Sequence, residues 1–595
     1  MSEYASPAKD INFVLNEIAG LGEISQLSGF EDLSPDLVEA VIEEASRLAT
    51  GVLSPLNKPG NDTGSRVEDN KVIPLEGFSD IYQAFREGGW PALPFAPDMG
   101  GQGLPELIAT ATNEIWQASN MAFALCPMLT EGAAVAINAH ASAQLKDTFL
   151  PKMISGEWTG TMNLTEPQAG SDLAAVKTKA EPAGDHYLLS GQKIFITWGD
   201  QDFTDNIVHL VLARLPDAPD GIKGISLFIV PKFVLNEDGT PGERNDVYPV
   251  SVEHKLGIHA SPTCVMSYGD NGGAVGYLVG EPHSGIACMF TMMNHARLAV
   301  GVQGLSISER AYQHALSYAK DRTQGQAIGQ KGKVTIIHHP DVRRMLMLMK
   351  SGIEAMRALC YVSAASLDYI HHGESDETRA FHTARFALLT PVTKAWCTEL
   401  GQELSSLGVQ IHGGMGYVEE TGAAQHFRDA RITTIYEGTT GIQAMDLVGR
   451  KVIRDSGNAI NALLTEMREL CESLTAKETS LLNGFQQQFK SGIENLQNAS
   501  EWILQNYESD ANAPGSVAVN FMMLMGTVCG GWLMAKAALS ALNKLEQGND
   551  DRDFYEAKLI TTRFYGEHYL PRSASYLSSV IAGSESIMSL SNEQF

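Results

Sequence analysis

"HYLLSGQKIFIT", residues 186–197, is where the chain stops reading as helix and starts reading as sheet. Two apolar runs, YLL (187–189) and the β-branched and aromatic IFIT (194–197), flank the polar SGQK (190–193). Similar runs follow: IVHLVLARL (207–215), GISLFIVPKFV (224–234) and CVMSYGD (264–270). Each is short and bounded by Gly, Pro, Asn or Asp, which punctuate strands. Together they predict a β-domain over residues 158–285. There is no βαβ alternation and no GxGxxG fingerprint. The domain is therefore not a Rossmann fold, and any nucleotide must be held another way.

Both flanks of this region read as helix. On the N-terminal side, Ser34-Pro35-Asp36 supplies a capping hydroxyl, a first-turn proline and an early acid ahead of LVEAVIEEASRLA (37–49). The next stretch, NKPGNDTGSR (57–66), is rich in turn residues. GGWPALPFAPDMGGQGLPELI (88–108) is too dense in Gly and Pro for regular structure. Residues 106–148 return to helical periodicity. On the C-terminal side, long amphipathic runs cover 285–322, 342–370 and 384–414, with Met, Leu and Ala stripes that suit the core faces of a bundle. A last helical region, 451–595, reads as a separate all-α domain. The expected fold is thus α+β and multidomain: helical 1–157, β 158–285, helical bundle 286–450 and extra helical 451–595.

The composition narrows the function classes. The 595 residues are 44% apolar and 19% charged, a packed soluble composition too long for one core. With 43 Lys and Arg against 70 Asp and Glu, the net charge of -27 repels nucleic acid and anionic membranes. The seven cysteines form no CxxC pair, so neither a disulfide framework nor a zinc ribbon is expected. No metal site is expected. MSEYASPAKDINF at the N-terminus lacks the pattern of a signal or transit peptide, which predicts a cytoplasmic protein. The uncharged run 514–535 contains Ser516, Asn520, Thr527 and several glycines, and predicts a buried core helix rather than a membrane span.

Five short stretches carry possible chemistry. In MNLTEPQAGSDL (162–173), Pro167 and Gly170 force a turn whose amides and hydroxyls can hold an anion without lysine. In SGQKIFITWG (190–199), Phe195 and Thr197 share a strand face and could flank a flat polar ring. NHARLAVGVQG (294–304) sets Arg297 among apolar residues, and YAKDRTQGQ (318–326) ends a helix at Arg322. A buried arginine needs an anionic partner, whether a ligand or an internal carboxylate. QIHGGMGYVEE (410–420) lets backbone approach a ligand closely. Taken singly, each also reads as ordinary loop, strand edge or salt bridge.

Then comes ITTIYEGTTGIQ (432–443), with one carboxylate, Glu437, and no acid, lysine or metal-ligand spacing beside it. In this order, TEPQAGSD, GQKIFITWG, the helix-ending DR, QIHGGMGY and IYEGTTGIQ resemble the acyl-CoA dehydrogenases. The resemblance covers roughly residues 30–450. The N-terminal extension and added α-domain resemble a long bacterial branch that includes 3-methylmercaptopropionyl-CoA dehydrogenases. It implies a helical domain, a central β-barrel, a helical bundle and bound FAD.

The resemblance also assigns residues. Leu164, Thr165, Gly170 and Ser171 would line the flavin, Phe195 would pack on its face and Thr197 would bond near its reactive nitrogen. Arg322, Gln324, Gln410, Gly413 and Gly414 would bind the FAD of the neighbouring subunit, and Thr439 would also meet the cofactor. Arg297 and Ser171, with Glu437 and Gly438, would hold the substrate. Glu437 would be the base that removes the α-proton of an acyl-CoA thioester, giving a trans-2-enoyl-CoA. A lone carboxylate in a dry pocket is a stronger base, so no paired acid is wanted. Some relatives place the base at the helix corresponding to MMNHAR, which has no carboxylate here. The chain departs from the family pattern at Phe195, Trp198 and Gly325, where tryptophan, asparagine and phenylalanine are common. Electron-transfer flavoprotein as acceptor and a homodimer are implied too. An acyl-CoA oxidase and a non-catalytic acyl-CoA-binding homologue are the alternatives. The acyl group, 3-methylmercaptopropionyl or fatty acyl, is left open.

Overall fold

The computed structural model describes residues 4–329, 331–477 and 479–595. They divide into two compact units. The β unit comprises Glu44–Leu104 and Ile115–Ala299; the helical unit comprises the residues through Glu43, Pro105–Glu114 and Val300–Phe595.

The β unit is built on one eight-stranded sheet: β1 Trp158–Asn163, β2 Lys179–Ala183, β3 His186–Thr197, β4 Asn206–Arg214, β5 Ile225–Pro231, β6 Val247–Val252, β7 Thr263–Tyr268 and β8 Ala274–Val279. The strand order is β6-β7-β3-β8-β5-β4-β1. β2 closes the sheet into a barrel, because it pairs with β3 along its length and with β4 through Lys179–Arg214. Every residue of β5 is buried, as its unbroken apolar run ISLFIVP requires. Leu189, Ile196, Val211, Phe228, Val247 and Tyr268 meet in the barrel core. Asp200 is buried in this unit too, bound by the Lys232 ammonium at 2.8 Å and the Val72 amide at 3.0 Å.

β3 is not a regular strand. Its register against β7 slips between Cys264 and Met266, and the buried positions pass from Lys193 to Ile196. An extra residue is thereby taken up, and Phe195 adopts a left-handed φ of 61°. Beyond the bulge, Phe195 and Thr197 lie on the opposite side from buried Ile196. Trp198, also left-handed, turns inward against Phe78 and Phe203 and donates to the Ala122 carbonyl at 3.0 Å.

One local expectation fails in this unit. The turn-rich stretch at 57–66 begins as a helix, Asn57–Thr63. Pro59 falls in the first turn, where its missing N–H costs nothing, and Gly64 ends the helix at φ 70°.

The helices used below are α1 Glu106–His140, α2 Gly285–Asp321, α3 Pro340–His372, α4 Asp376–His412, α5 Ala423–Arg431, α6 Thr440–Asp446 and α7 Ala513–Glu546. α1 is broken at Asn120, whose backbone is extended and whose side chain bonds Leu53 and Phe123. In the helical unit α2 and α4 cross closely. A Cβ on Gly304 would lie 2.5 Å from the Cys397 carbonyl, and one on Gly401 2.8 Å from that of Gly304. α1 and α7 are long and apolar enough to cross a membrane, but 83% of each apolar window is buried in protein, as a core helix would be.

The helical unit also buries charge. Arg357 of α3 binds Glu114 at 2.7 Å and Glu309 of α2 at 2.9 Å, and Tyr361 donates to Glu114 at 2.7 Å. The N-terminal segment is fastened by ion pairs of Asp10 with Lys558 and Glu17 with Lys544.

Candidate active site

In the β unit, the loop 164–171 hangs between β1 and β2. One buried ion pair fixes it. The Lys193 ammonium, fully enclosed on β3, lies 2.8 Å from Glu166 and 3.1 Å from the Leu164 carbonyl. Glu166 also accepts from the Lys177 and Thr178 amides and the Thr178 hydroxyl. Burial alone would push its carboxyl up, but Lys193 and these donors hold it at about 2. The Ile194 amide donates to the Thr165 carbonyl at 2.9 Å, which sets Thr165 beside the β3 bulge. The expected residues Leu164, Thr165, Phe195 and Thr197 are thus gathered in one place, with Gly170 and Ser171 exposed further along the loop. Phe195 is 58% exposed, a large apolar ring left open. Arg297 is buried on α2, donates to Asn294 at 3.2 Å and lies over the Phe290 ring.

In the helical unit, Glu437, Gly438 and Thr439 form the turn that leads into α6. Glu437 and Gly438 are both left-handed, with φ 60° and 95°. A non-glycine residue in that region stores about 1–3 kcal/mol and persists only when its surroundings enforce it. The enforcement is visible. The Lys394 ammonium of α4 donates to the Gly438 carbonyl at 2.8 Å, and the Gln443 amide donates to the Glu437 carbonyl at 3.1 Å. Glycine is favoured at 438, since φ 95° strains any other residue and a Cβ there would displace the Gln443 amide, 2.5 Å away. Thr439 caps α6 through the Ile442 amide, and Thr440 bonds Glu399 at 2.5 Å. The Tyr436 hydroxyl donates to Gln303, and burial with the neighbouring Glu437 keeps it un-ionised, well above its ordinary range. Glu437 itself is half-buried.

The remaining expected residues lie elsewhere in this unit. Arg322 and Gln324 are exposed on the segment after α2, which folds back through Gln324–Val334 and Ile336–Arg322 backbone bonds. Gly325 sits there at φ 68°, a conformation that accounts for glycine at this position. Gln410, Gly413 and Gly414 are exposed at the end of α4. Among the described residues, no atom lies within 4 Å of where Cβ atoms of the two glycines would be.

Behind that end of α4 is a group that the sequence patterns do not announce. His412, His314 of α2 and His426 of α5 are buried, with the ring centroids of His412 and His426 lying 4.6 and 5.6 Å from that of His314. The Tyr318 ring lies tilted against His412 at 4.5 Å, and Arg310 and Arg428 are nearby cations. Burial, reinforced by His412 and Arg310, pushes His314 down to about 3, and His426 is pushed far below its ordinary value. The folded chain therefore refuses protons that the unfolded chain accepts below about pH 6.5. Stability present above that pH should fall by about 1.4 kcal/mol per pH unit for each such histidine as pH drops toward 3. The thermal midpoint should decline from pH 7 to 5, and His426→Phe should flatten that decline. An unchanged slope in the variant would contradict this reading.

Lys394, Gln443, Lys193 and Glu166 were also not singled out from sequence. The available signal was one lysine inside the otherwise uncharged run FALLTPVTKAWCT (386–398).

Comparison with known proteins covers nearly the whole chain. Models of the acyl-CoA dehydrogenase N-terminal, middle and C-terminal domains match residues 42–157, 161–270 and 283–452. A model described as acetyl-CoA dehydrogenase C-terminal like matches 463–591. The 3-methylmercaptopropionyl-CoA dehydrogenase of Ruegeria pomeroyi is 43% identical over 99% of this chain and 100% of its own length. A butyryl-CoA dehydrogenase of Syntrophomonas wolfei is 35% identical over 96% of this chain and 95% of its own. The fold matches that of a Bacillus anthracis acyl-CoA dehydrogenase crystallised with FAD, at a TM-score of 0.74 and 21% identity, over 96% of this chain and 92% of that one.

Proposed function

This chain belongs to the acyl-CoA dehydrogenase family of FAD-dependent oxidoreductases, and from that premise we propose that Glu437 is its catalytic base. The reaction is the α,β-dehydrogenation of an acyl-CoA thioester to a trans-2-enoyl-CoA. The observation that carries the assignment of the base is the enforced left-handed turn at 437–438, which aims one carboxylate and spends buried side chains on holding it. Enzymes keep such strain where a group must be aimed.

The residues present fit FAD. In the β unit, the exposed Phe195 ring, with Thr165 held against its strand, Thr197 two residues on and Ser171 further along the loop, suits a flat ring with a polar edge. In the helical unit, Arg322, Gln324 and the unobstructed backbone at Gly413 and Gly414 suit a diphosphate and its nucleoside. Leu164, Gly170, Gln410 and Thr439 complete the set we assign to the cofactor. When bound, FAD supplies the hydride acceptor. The chain's own tasks are to hold the thioester through Arg297, Ser171 and the 437–438 backbone, to stabilise charge developing on its carbonyl, and to take its α-proton. Purified protein mixed with substrate should bleach the yellow flavin absorbance anaerobically; persistent colour with every thioester would refute the reading.

We assign a short acyl group. Among the relatives that match along nearly their whole length, one is named for 3-methylmercaptopropionyl-CoA and two for butyryl-CoA, beside one named a broad-specificity linear acyl-CoA dehydrogenase. Both acyl chains are short, and methylthiopropionyl is nearly isosteric with pentanoyl. Across a panel of thioesters, kcat/KM should peak at acyl chains of about four to six heavy atoms and fall by about tenfold or more for palmitoyl, since each misfitted methylene is worth about 1 kcal/mol or more. A palmitoyl maximum would overturn this. The same reading carries electron-transfer flavoprotein as acceptor, a cytoplasmic location, the four-part division at 157, 285 and 450, and a homodimer. Light scattering showing a tetramer would remove the dimer.

A further inference from the structure

We propose that Lys394 is a positioning residue for the catalytic base, an inference that rests on Glu437 being that base. Lys394 is fully buried in the middle of α4. An ammonium taken out of water is retained only where something repays its desolvation. It donates to the Gly438 carbonyl at 2.8 Å, one peptide beyond Glu437. Gln443, also fully buried, bonds the carbonyl before it at 3.1 Å. Two consecutive carbonyls of one turn are therefore each gripped by a separate enclosed side chain, one from α4 and one from α6. Fixing both fixes the two peptide planes that flank Gly438, and with them its φ of 95° next to the left-handed Glu437 at 60°. A glutamate in that conformation projects its side chain where a right-handed turn would not. The grip comes from α4 because α2 and α4 cross at backbone distance through Gly304 and Gly401, which brings Lys394 and Gln303 up behind the turn. Without the ammonium the Gly438 carbonyl loses that donor, the turn relaxes and the carboxylate leaves its line to the α-carbon.

The experiment uses FAD-loaded Lys394→Met, Lys394→Arg and Glu437→Gln proteins and the Lys394→Met/Glu437→Gln double variant. Two readouts are taken: steady-state turnover, and α-proton exchange of acetyl-CoA in D2O followed by mass spectrometry. Acetyl-CoA has α-protons but no β-carbon, so its exchange reports the base without any redox step. Lys394→Met should lower kcat and exchange together by about 10- to 100-fold, with KM within about threefold and flavin content unchanged, as expected for a small misplacement of a reacting group. Lys394→Arg keeps a buried cation and the fold, and should recover part of the loss. In the Glu437→Gln background Lys394→Met should cost nothing further. Unchanged exchange in Lys394→Met, an equal loss in the Glu437→Gln background, or Lys394→Arg with wild-type flavin content but exchange no better than Lys394→Met would each overturn the proposal. Should Lys394→Met not fold, Lys394→Arg decides, because a guanidinium cannot occupy the ammonium position: a 3- to 10-fold loss of exchange supports the proposal and wild-type exchange overturns it. Near-normal turnover in Glu437→Gln alone would instead defeat the assignment of the base, whatever Lys394 does.

Discussion

Glu437→Gln should give a folded, yellow protein whose turnover is lower by about a thousandfold or more. The amide has almost the shape of the carboxylate but no basicity, and a positioned general base contributes about 100- to 10,000-fold. The turn should survive, since the Lys394 and Gln443 bonds to its backbone carbonyls remain. Thioester binding should survive as well, so the loss belongs in kcat and not in KM. Flavin absorbance at wild-type intensity would show that the cofactor site is intact. Turnover within a few-fold of wild type would mean that another group removes the proton. No carboxylate lies in MMNHAR (292–297), the other position that the family resemblance offers for a base.

Arg357→Met should destabilise the helical unit by about 3–5 kcal/mol, the usual consequence of stranding buried charge. Glu114 and Glu309 are enclosed, and the guanidinium sits between them at 2.7 and 2.9 Å. Burial already pushes the Glu114 carboxyl up against the opposing pull of Arg357. Removing the arginine leaves the buried Glu114 carboxylate needing a proton to remain inside. A carboxyl whose folded pKa is raised binds its proton above the unfolded value, so the stability it permits is lost as pH rises through the folded pKa. The deficit of Arg357→Met should therefore be larger at pH 8 than at pH 5. Urea unfolding at the two pH values measures this. Adding Glu114→Gln and Glu309→Gln should restore most of the loss, and an equal deficit at both pH values would contradict the mechanism.

Much of the architecture was legible because it depends on periodicity. IVHLVLARL and GISLFIVPKFV cannot be amphipathic helices, and both become strands of the barrel. The apolar run 514–535 becomes the mostly buried N-terminal part of α7. What escaped was decided by tertiary placement. Nothing local says that β3 takes up an extra residue at Phe195, because a bulge is defined by the partner strand. Pro59 and Gly60 signal a turn, yet a proline in the first helical turn leaves the helix intact. Glu437 was readable as a lone carboxylate before a glycine, but its strain was not, because strain is imposed by Lys394, 43 positions earlier, and by Gln443. The histidine group is assembled from three helices and has no linear signature.

The most direct test of Glu437 as the base is deuterium uptake into the methyl group of acetyl-CoA, measured in D2O for the wild-type holoenzyme and for Glu437→Gln. Wild-type protein should label the α-carbon steadily, and the variant should label it no faster than protein-free solvent. Equal labelling by both would contradict the assignment outright.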